Sequence, residues 1–184
     1  MDHVDQPTPA AKTTIDLVRT PSRPYAQTLW LGGTVVALDQ ATKALVRWRL
    51  DLHDSVNVIP GLLDITHVRN TGAAFGILNA ADFPFKSAVM LAIALAAFAA
   101  IAYFSTRLAV HEVLARAGLT LVLAGAVGNL IDRAAVGHVT DFIDVYWREW
   151  HFWAFNVADA AITIGAALVI LDLLLAGRHA PRTV

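Results

Sequence analysis

Two aspartates, Asp141 in V-T-D-F and Asp159 in F-N-V-A-D, stand on either side of the start of the last of four long apolar segments. A carboxylate at a membrane boundary is costly to keep there unless it is paired or works, so the two are the first candidates for chemistry. The reaction such a pair supports is hydrolysis: one ionised carboxylate activates water while the other, protonated, donates to a carbonyl oxygen. A plainer reading exists for Asp159. Asn156 is a good N-cap and Asp159 falls at the third helical position, a capping arrangement that the helix dipole favours.

Three further motifs could serve such a pair. G-N-L-I-D-R, Gly128 to Arg133, closes the third apolar segment. Asn129 and Arg133 there could orient a backbone or hold a carboxylate, and an arginine close to two acids would help keep one of them ionised. Asp132 reads as an ordinary interfacial charge. R-N-T-G-A-A-F-G, Arg69 to Gly76, puts Asn70 and then Gly72 ahead of small residues. That composition suits close approach by an extended substrate backbone, although a turn and a loop would also account for it. Asp39 and Lys43 are spaced i, i+4 with the acid first, which is most simply an intrahelical ion pair that makes a partly buried charge tolerable. Substrate binding is their alternative role.

Several chemistries lack their parts. Cysteine is absent, which removes thiol nucleophiles, disulfides and thiolate metal sites. The seven histidines show no i, i+4 pair and no H-E-x-x-H setting, so neither metal catalysis nor any cofactor is expected. No G-x-S-x-G element or phosphate-binding loop occurs. A net charge of −1 without a Lys/Arg cluster argues against a nucleic-acid partner.

The elements that must position these residues are membrane helices. The chain has 184 residues, 57% hydrophobic and 16% charged, which is too apolar for a soluble domain of this length. Apolar runs long enough to span a bilayer lie at about 25–48, 84–105, 113–131 and 157–176. Trp30 and Trp48 are placed as interfacial anchors of the first. Asp82 and Pro84 suit the start of the second, and Gly177 suits a C-cap of the fourth with Arg178 after it. In the third, Thr120, Ala124 and Gly128 recur every fourth residue, a small-residue stripe that lets another helix approach. The tail 1–24 has no apolar run; it cannot be a cleavable signal peptide and is expected to be disordered.

Two long connections, 49–83 and 132–156, fall on one side of this four-helix frame, and both termini and a short loop fall on the other. In the first connection, residues 55–59 and 63–68 partly alternate around Pro60-Gly61, which predicts short strands joined by a turn. The expected architecture is an all-α membrane protein of four transmembrane helices with a small β-containing cap. Charge says little about its orientation, since basic residues are nearly balanced between the two sides.

D-Q-A-T-K (Asp39 to Lys43), R-N-T-G-A-A-F-G, G-N-L-I-D-R, V-T-D-F and F-N-V-A-D occur in one order. Together they closely resemble lipoprotein signal peptidase, signal peptidase II, over roughly Leu29 to Leu174. The resemblance implies an aspartic endopeptidase of the bacterial inner membrane that cuts prolipoproteins before the cysteine carrying diacylglycerol. It matches the catalytic aspartates to Asp141 and Asp159, and the supporting polar residues to Asp39, Lys43, Asn70, Asn129, Arg133 and Asn156. It also implies cytoplasmic termini (1–24 and 177–184), a periplasmic cap and active site, and membrane lipids as neighbours. No obligate protein partner is implied. The rival expectations are a small proton-coupled transporter, in which Asp39 or Asp159 would titrate, and a non-catalytic membrane scaffold.

Overall fold

Each apolar run forms one helix in the structure, a computed structural model that describes residues 23–72, 85–105 and 112–176. The order is α1 (Arg23–Arg49), β1 (Ser55–Ile59), β2 (Leu63–Asn70), α2 (Lys86–Ser105), α3 (Val113–Val136), β3 (Val139–Trp147), β4 (Trp150–His151) and α4 (Val157–Ala176). The expectations for the tail 1–22, for Asp82 and Pro84, for 73–83, for the short loop 106–111 and for 177–184 with its Gly177 cap lie outside the described residues.

Local sequence sets most of the boundaries. α2 is alanine-rich and free of glycine and proline, which favours an uninterrupted helix. α3 runs past Ile131 to Val136 and stops at Gly137, which has a φ of 76° and whose N–H donates to the Arg133 carbonyl. That left-handed cap is one glycine adopts without steric cost. Between β1 and β2, Leu62 N–H donates to the Ile59 carbonyl across Pro60 and Gly61, with Gly61 at φ 78°. Proline followed by a positive-φ glycine is the type II turn.

The strands form one antiparallel sheet in the order β1-β2-β3-β4. β3 and the short β4 are the elements that sequence pattern did not predict: the connection 132–156 reads as a loop, yet it holds both strands, with nine residues in β3. Beyond β4, Ile143 N–H donates to the Phe155 carbonyl at 2.8 Å and Phe155 N–H returns to Ile143 at 3.1 Å. This clamp ties β3 to the residues that open α4.

α3 and α4 approach closely through glycine. A Cβ on Gly118 would lie 2.6 Å from the Gly165 carbonyl oxygen, and one on Gly125 would strike that of Ala158. The predicted small-residue stripe instead faces α1: Thr120 and Ala124 lie against Gly32, and a Cβ on Gly128 would sit 2.5 Å from Asp39 Oδ2. Close backbone approach is how small residues substitute for the hydrophobic effect where the surroundings are themselves apolar.

The distribution of polarity is that of a membrane protein. α3 and α4 are long and apolar enough to cross a membrane, and α2 contributes a shorter apolar stretch, Ala88–Tyr103. Leu29, Trp30, Leu45, Ile170, Leu171, Leu173 and Leu174 are exposed, whereas the largest fully buried side chains are Lys43, Val139, Asn156, Thr140 and Asp39. Polar groups at zero exposure must find partners inside.

Candidate active site

The buried polar groups converge where β3 meets the first turn of α4. Asp141 lies on β3 opposite Val68 of β2, and Asn70 closes the same ladder opposite Val139. Asp159 occupies the first turn of α4. Asn156 stands between the two acids: its Nδ2 donates to Asp141 Oδ1 at 2.7 Å, and its backbone N–H reaches Asp159 Oδ2 at 3.3 Å. Asp159 N–H in turn donates to Asn156 Oδ1 at 2.9 Å. The capping arrangement is therefore real, and the same bonds bring the two carboxylates onto one asparagine.

Lys43 sets the direction of the remaining amides. An ammonium has donors only, so the oxygen of the Asn129 amide must face it, and Lys43 Nζ meets Asn129 Oδ1 at 2.9 Å. The other end of that amide is thereby turned outward, and Asn129 Nδ2 donates to Asp159 Oδ1 at 2.7 Å. Asn70 is oriented in the same way from its own loop. Gly72 N–H occupies Asn70 Oδ1 at 3.0 Å, leaving Asn70 Nδ2 to donate to Asp141 Oδ2 at 3.0 Å. Each aspartate thus receives one donor on each oxygen.

Lys43 is buried at 0% exposure and is held by two acids, Asp39 Oδ2 at 2.9 Å and Asp132 Oδ2 at 3.3 Å. Asp39 is more than the i, i+4 partner that spacing predicted. Its Oδ1 accepts the Ala158 N–H at 2.9 Å, which satisfies one of the orphan donors in the first turn of α4 and joins α1 to that helix. Asp132 corrects the sequence reading outright: it is 2% exposed, not an interfacial charge. It binds Lys43, pairs with Arg47 at 3.5 Å and accepts the Thr140 N–H at 3.0 Å. Two carboxylates balance two cations, the condition under which a buried ionic cluster is tolerable.

Arg133 makes no ion pair with either candidate acid among the described residues. Its guanidinium donates to the Gly72 carbonyl at 3.2 Å and to the Asn129 carbonyl at 3.4 Å, within electrostatic reach of Asp159, Asp141 and Asp132. It fixes the loop that orients Asn70. Gly72 therefore belongs to the site through its backbone.

The two acids differ in their place relative to the cavity. Burial pushes the Asp141 carboxyl up to about 7, and the Asp159 charge adds to the rise against the hydrogen bonds from Asn70 and Asn156. Asp141 is 2% exposed. Asp159, Asn70, Asn129 and Arg133 line one end of a cavity of about 770 Å³ whose other walls come from α2, α3, α4 and the stretch Phe152 to Phe155. Those walls are apolar side chains such as Met90, Ile93, Val122 and Ile162. An apolar trough ending in convergent polar groups is the form of a site for a ligand with a lipid or hydrophobic segment. No group of His, Asp or Glu suited to a metal ion occurs among the described residues.

All nine residues singled out from sequence, Asp39, Lys43, Asn70, Gly72, Asn129, Arg133, Asp141, Asn156 and Asp159, meet in this one network. Sequence reasoning missed Asp132, Arg47 and Thr140. The only available signal for Asp132 was its place inside G-N-L-I-D-R beside two residues that were chosen.

A family model described as Signal peptidase (SPase) II matches residues 31–175. Lipoprotein signal peptidase of Geobacter metallireducens is 48% identical over 139 residues, covering 76% of this chain and 85% of that protein. The protein of the same name from Geobacter sulfurreducens is 46% identical over 139 residues, with 76% and 86% covered. A solved bacterial membrane enzyme, determined by the in meso method, superposes with a TM-score of 0.76 at 34% identity, covering 86% of this chain and 94% of that one.

Proposed function

Because the chain belongs to the signal peptidase II family, we propose that it removes signal peptides from prolipoproteins as an aspartic endopeptidase, with Asp141 and Asp159 as the catalytic pair. The observation that carries this assignment is Asn156, which binds both carboxylates, Asp159 at the lining of an apolar cavity and Asp141 buried behind it. The family match gives the transporter reading no support.

The chemistry follows from the two environments. The pair works with one proton between its two carboxyls; burial favours the protonated form of Asp141, to which we assign the proton, and Asp159 is the partner presented to the cavity. Asp159 takes a proton from water as the oxygen attacks the scissile carbonyl carbon, and the Asp141 proton passes to the carbonyl oxygen, giving a gem-diol. Collapse reverses both transfers. The leaving nitrogen takes the proton from Asp159, the C–N bond breaks, and a diol hydroxyl returns its proton to Asp141. Asn70, Asn129 and Asn156 keep both carboxylates fixed through the cycle, so little reorganisation is needed at the moment of reaction.

The substrate is a prolipoprotein whose cysteine carries diacylglycerol, cut on the amino side of that cysteine. Lipid chains and the signal segment stay in an apolar setting while water must reach the carbonyl, and the apolar trough with one polar end supports that arrangement. We read α1 and α2 as spans beside α3 and α4, in the bacterial inner membrane, with the sheet as a periplasmic cap and both termini cytoplasmic. α1 meets this role by hiding Asp39 and Lys43 against each other. Asp141→Asn and Asp159→Asn, each assayed on a lipidated precursor peptide, test the assignment: each should lower turnover by about 10²–10⁴-fold.

A further inference from the structure

Thr140, the residue before Asp141, is held at every polar group it has. Its N–H donates to Asp132 Oδ2 at 3.0 Å, its hydroxyl accepts from Arg47 Nη1 at 3.0 Å, and its carbonyl accepts from Asn156 Nδ2 at 3.3 Å. The three partners come from α3, from α1 and from the residue that caps α4. Thr140 is 0% exposed and is not among the residues that line the cavity. Arg47 also pairs with Asp132 at 3.5 Å, so Arg47, Asp132 and Thr140 close a ring.

The ladder beside Asp141 explains why such a hold is needed. β2 and β3 pair regularly at Ile65 and Ile143, the register then breaks, and pairing resumes with Val68 opposite Asp141 and Arg69 opposite Thr140. At such an irregularity the ladder between the two strands is locally disrupted, so β2 alone does not fix where Asp141 stands. Successive side chains on a strand point to opposite faces, so Arg47 grips Thr140 from the side away from the Asp141 carboxylate.

We propose that Arg47 and Thr140 are positioning residues for the peptidase reaction: their hydrogen bond holds β3 on the far side of Asp141 from the break in the ladder and so sets where the Asp141 carboxylate stands relative to Asp159. Neither residue lines the cavity. The inference rests on the assignment of Asp141 and Asp159 as the catalytic pair.

The test measures kcat and KM separately for the purified full chain in detergent, with a synthetic precursor peptide bearing a diacylglyceryl cysteine. Thr140→Val keeps volume and charge and removes only the hydroxyl; Arg47→Met removes the donor. Each should lower kcat on the order of 10- to 100-fold with KM unchanged, the scale expected for a misplaced catalytic group. Thr140→Ser, which restores the hydroxyl, should recover most of the turnover. The double variant should be no worse than Arg47→Met alone, because the bond lost in Thr140→Val is already lost in Arg47→Met, which also gives up the pair with Asp132. If Arg47→Met does not fold, Thr140→Val and Thr140→Ser carry the test unaided. Wild-type kcat in Thr140→Val while Asp141→Asn is inactive overturns the positioning role and leaves the catalytic pair standing. A lower melting temperature with full kcat per folded molecule also overturns it. Cleavage by Asp141→Asn at the wild-type rate would instead remove the premise.

Discussion

Replacing Asp141 by asparagine should give a protein that is inactive yet more stable at alkaline pH. The carboxyl titrates near 3.8 when unperturbed and is raised to about 7 here, mainly by burial. At about 1.4 kcal/mol per pH unit, a rise of about 3 units means that ionising Asp141 in the folded state costs on the order of 4 kcal/mol. The folded protein binds this proton more tightly than the unfolded chain does. Stability from this group is therefore fully present below about 4, falls as pH rises from about 4 to 7, and is lost above that. Asparagine carries no charge and escapes the penalty, but it introduces an opposing cost. Asn156 Nδ2 and Asn70 Nδ2 both donate to the Asp141 oxygens, at 2.7 and 3.0 Å. An asparagine offers one oxygen, so one amide meets another donor and about 1–3 kcal/mol is lost. The net effect at pH 8 is a gain of about 1–3 kcal/mol, and at pH 4 a loss of similar size. Thermal unfolding of wild type and variant in one detergent at both pH values measures the difference. A variant that melts below wild type at pH 8 as well as at pH 4 refutes the reasoning, since it would show the ionised carboxylate to be stabilising.

Three other outcomes follow from the same network. Turnover should decline on the alkaline side with a midpoint near 7 as Asp141 loses its proton, and single-turnover rates in controlled detergent would reveal a profile without that limb. Lys43→Met should destabilise by about 3–5 kcal/mol, because Asp39 and Asp132 would each keep a buried charge without the shared cation; denaturation of the purified variant checks this. Gly128→Ala puts a Cβ 2.5 Å from Asp39 Oδ2 and should lower both melting temperature and activity, whereas Gly33→Ala, with nothing within 4 Å, should change neither.

Much of the site was legible because the motifs carry polar residue types into an apolar chain, where each needs a reason to be there. The i, i+4 spacing of Asp39 and Lys43 and the cap at Asn156 are local relations, and both exist as spacing predicts. Asp132 was misread because its partner Lys43 lies far away in sequence, and no local rule distinguishes a charge at a helix end that faces water from one that faces a distant lysine. The same pairing lets α3 continue through Asp132 and Arg133 where an interface was expected. β3 was missed for a different reason. V-T-D-F-I-D-V-Y-W is rich in β-branched and aromatic residues, but its first four positions are all buried, so the strand does not alternate between polar and apolar there. The catalytic candidate Asp141 thus sits on an element that periodicity alone conceals.

The central claim is that Asp141 and Asp159 act as one catalytic pair. Its most direct test is cleavage of a purified diacylglyceryl-modified precursor peptide, with a chelator present and no nucleotide added, by wild type, Asp141→Asn and Asp159→Asn at matched folded concentration. Wild type should cut on the amino side of the lipidated cysteine, and each variant should lose about 10²–10⁴-fold in turnover while retaining its fold. Near-normal cleavage by either variant, or loss of wild-type activity on chelation, would contradict the assignment.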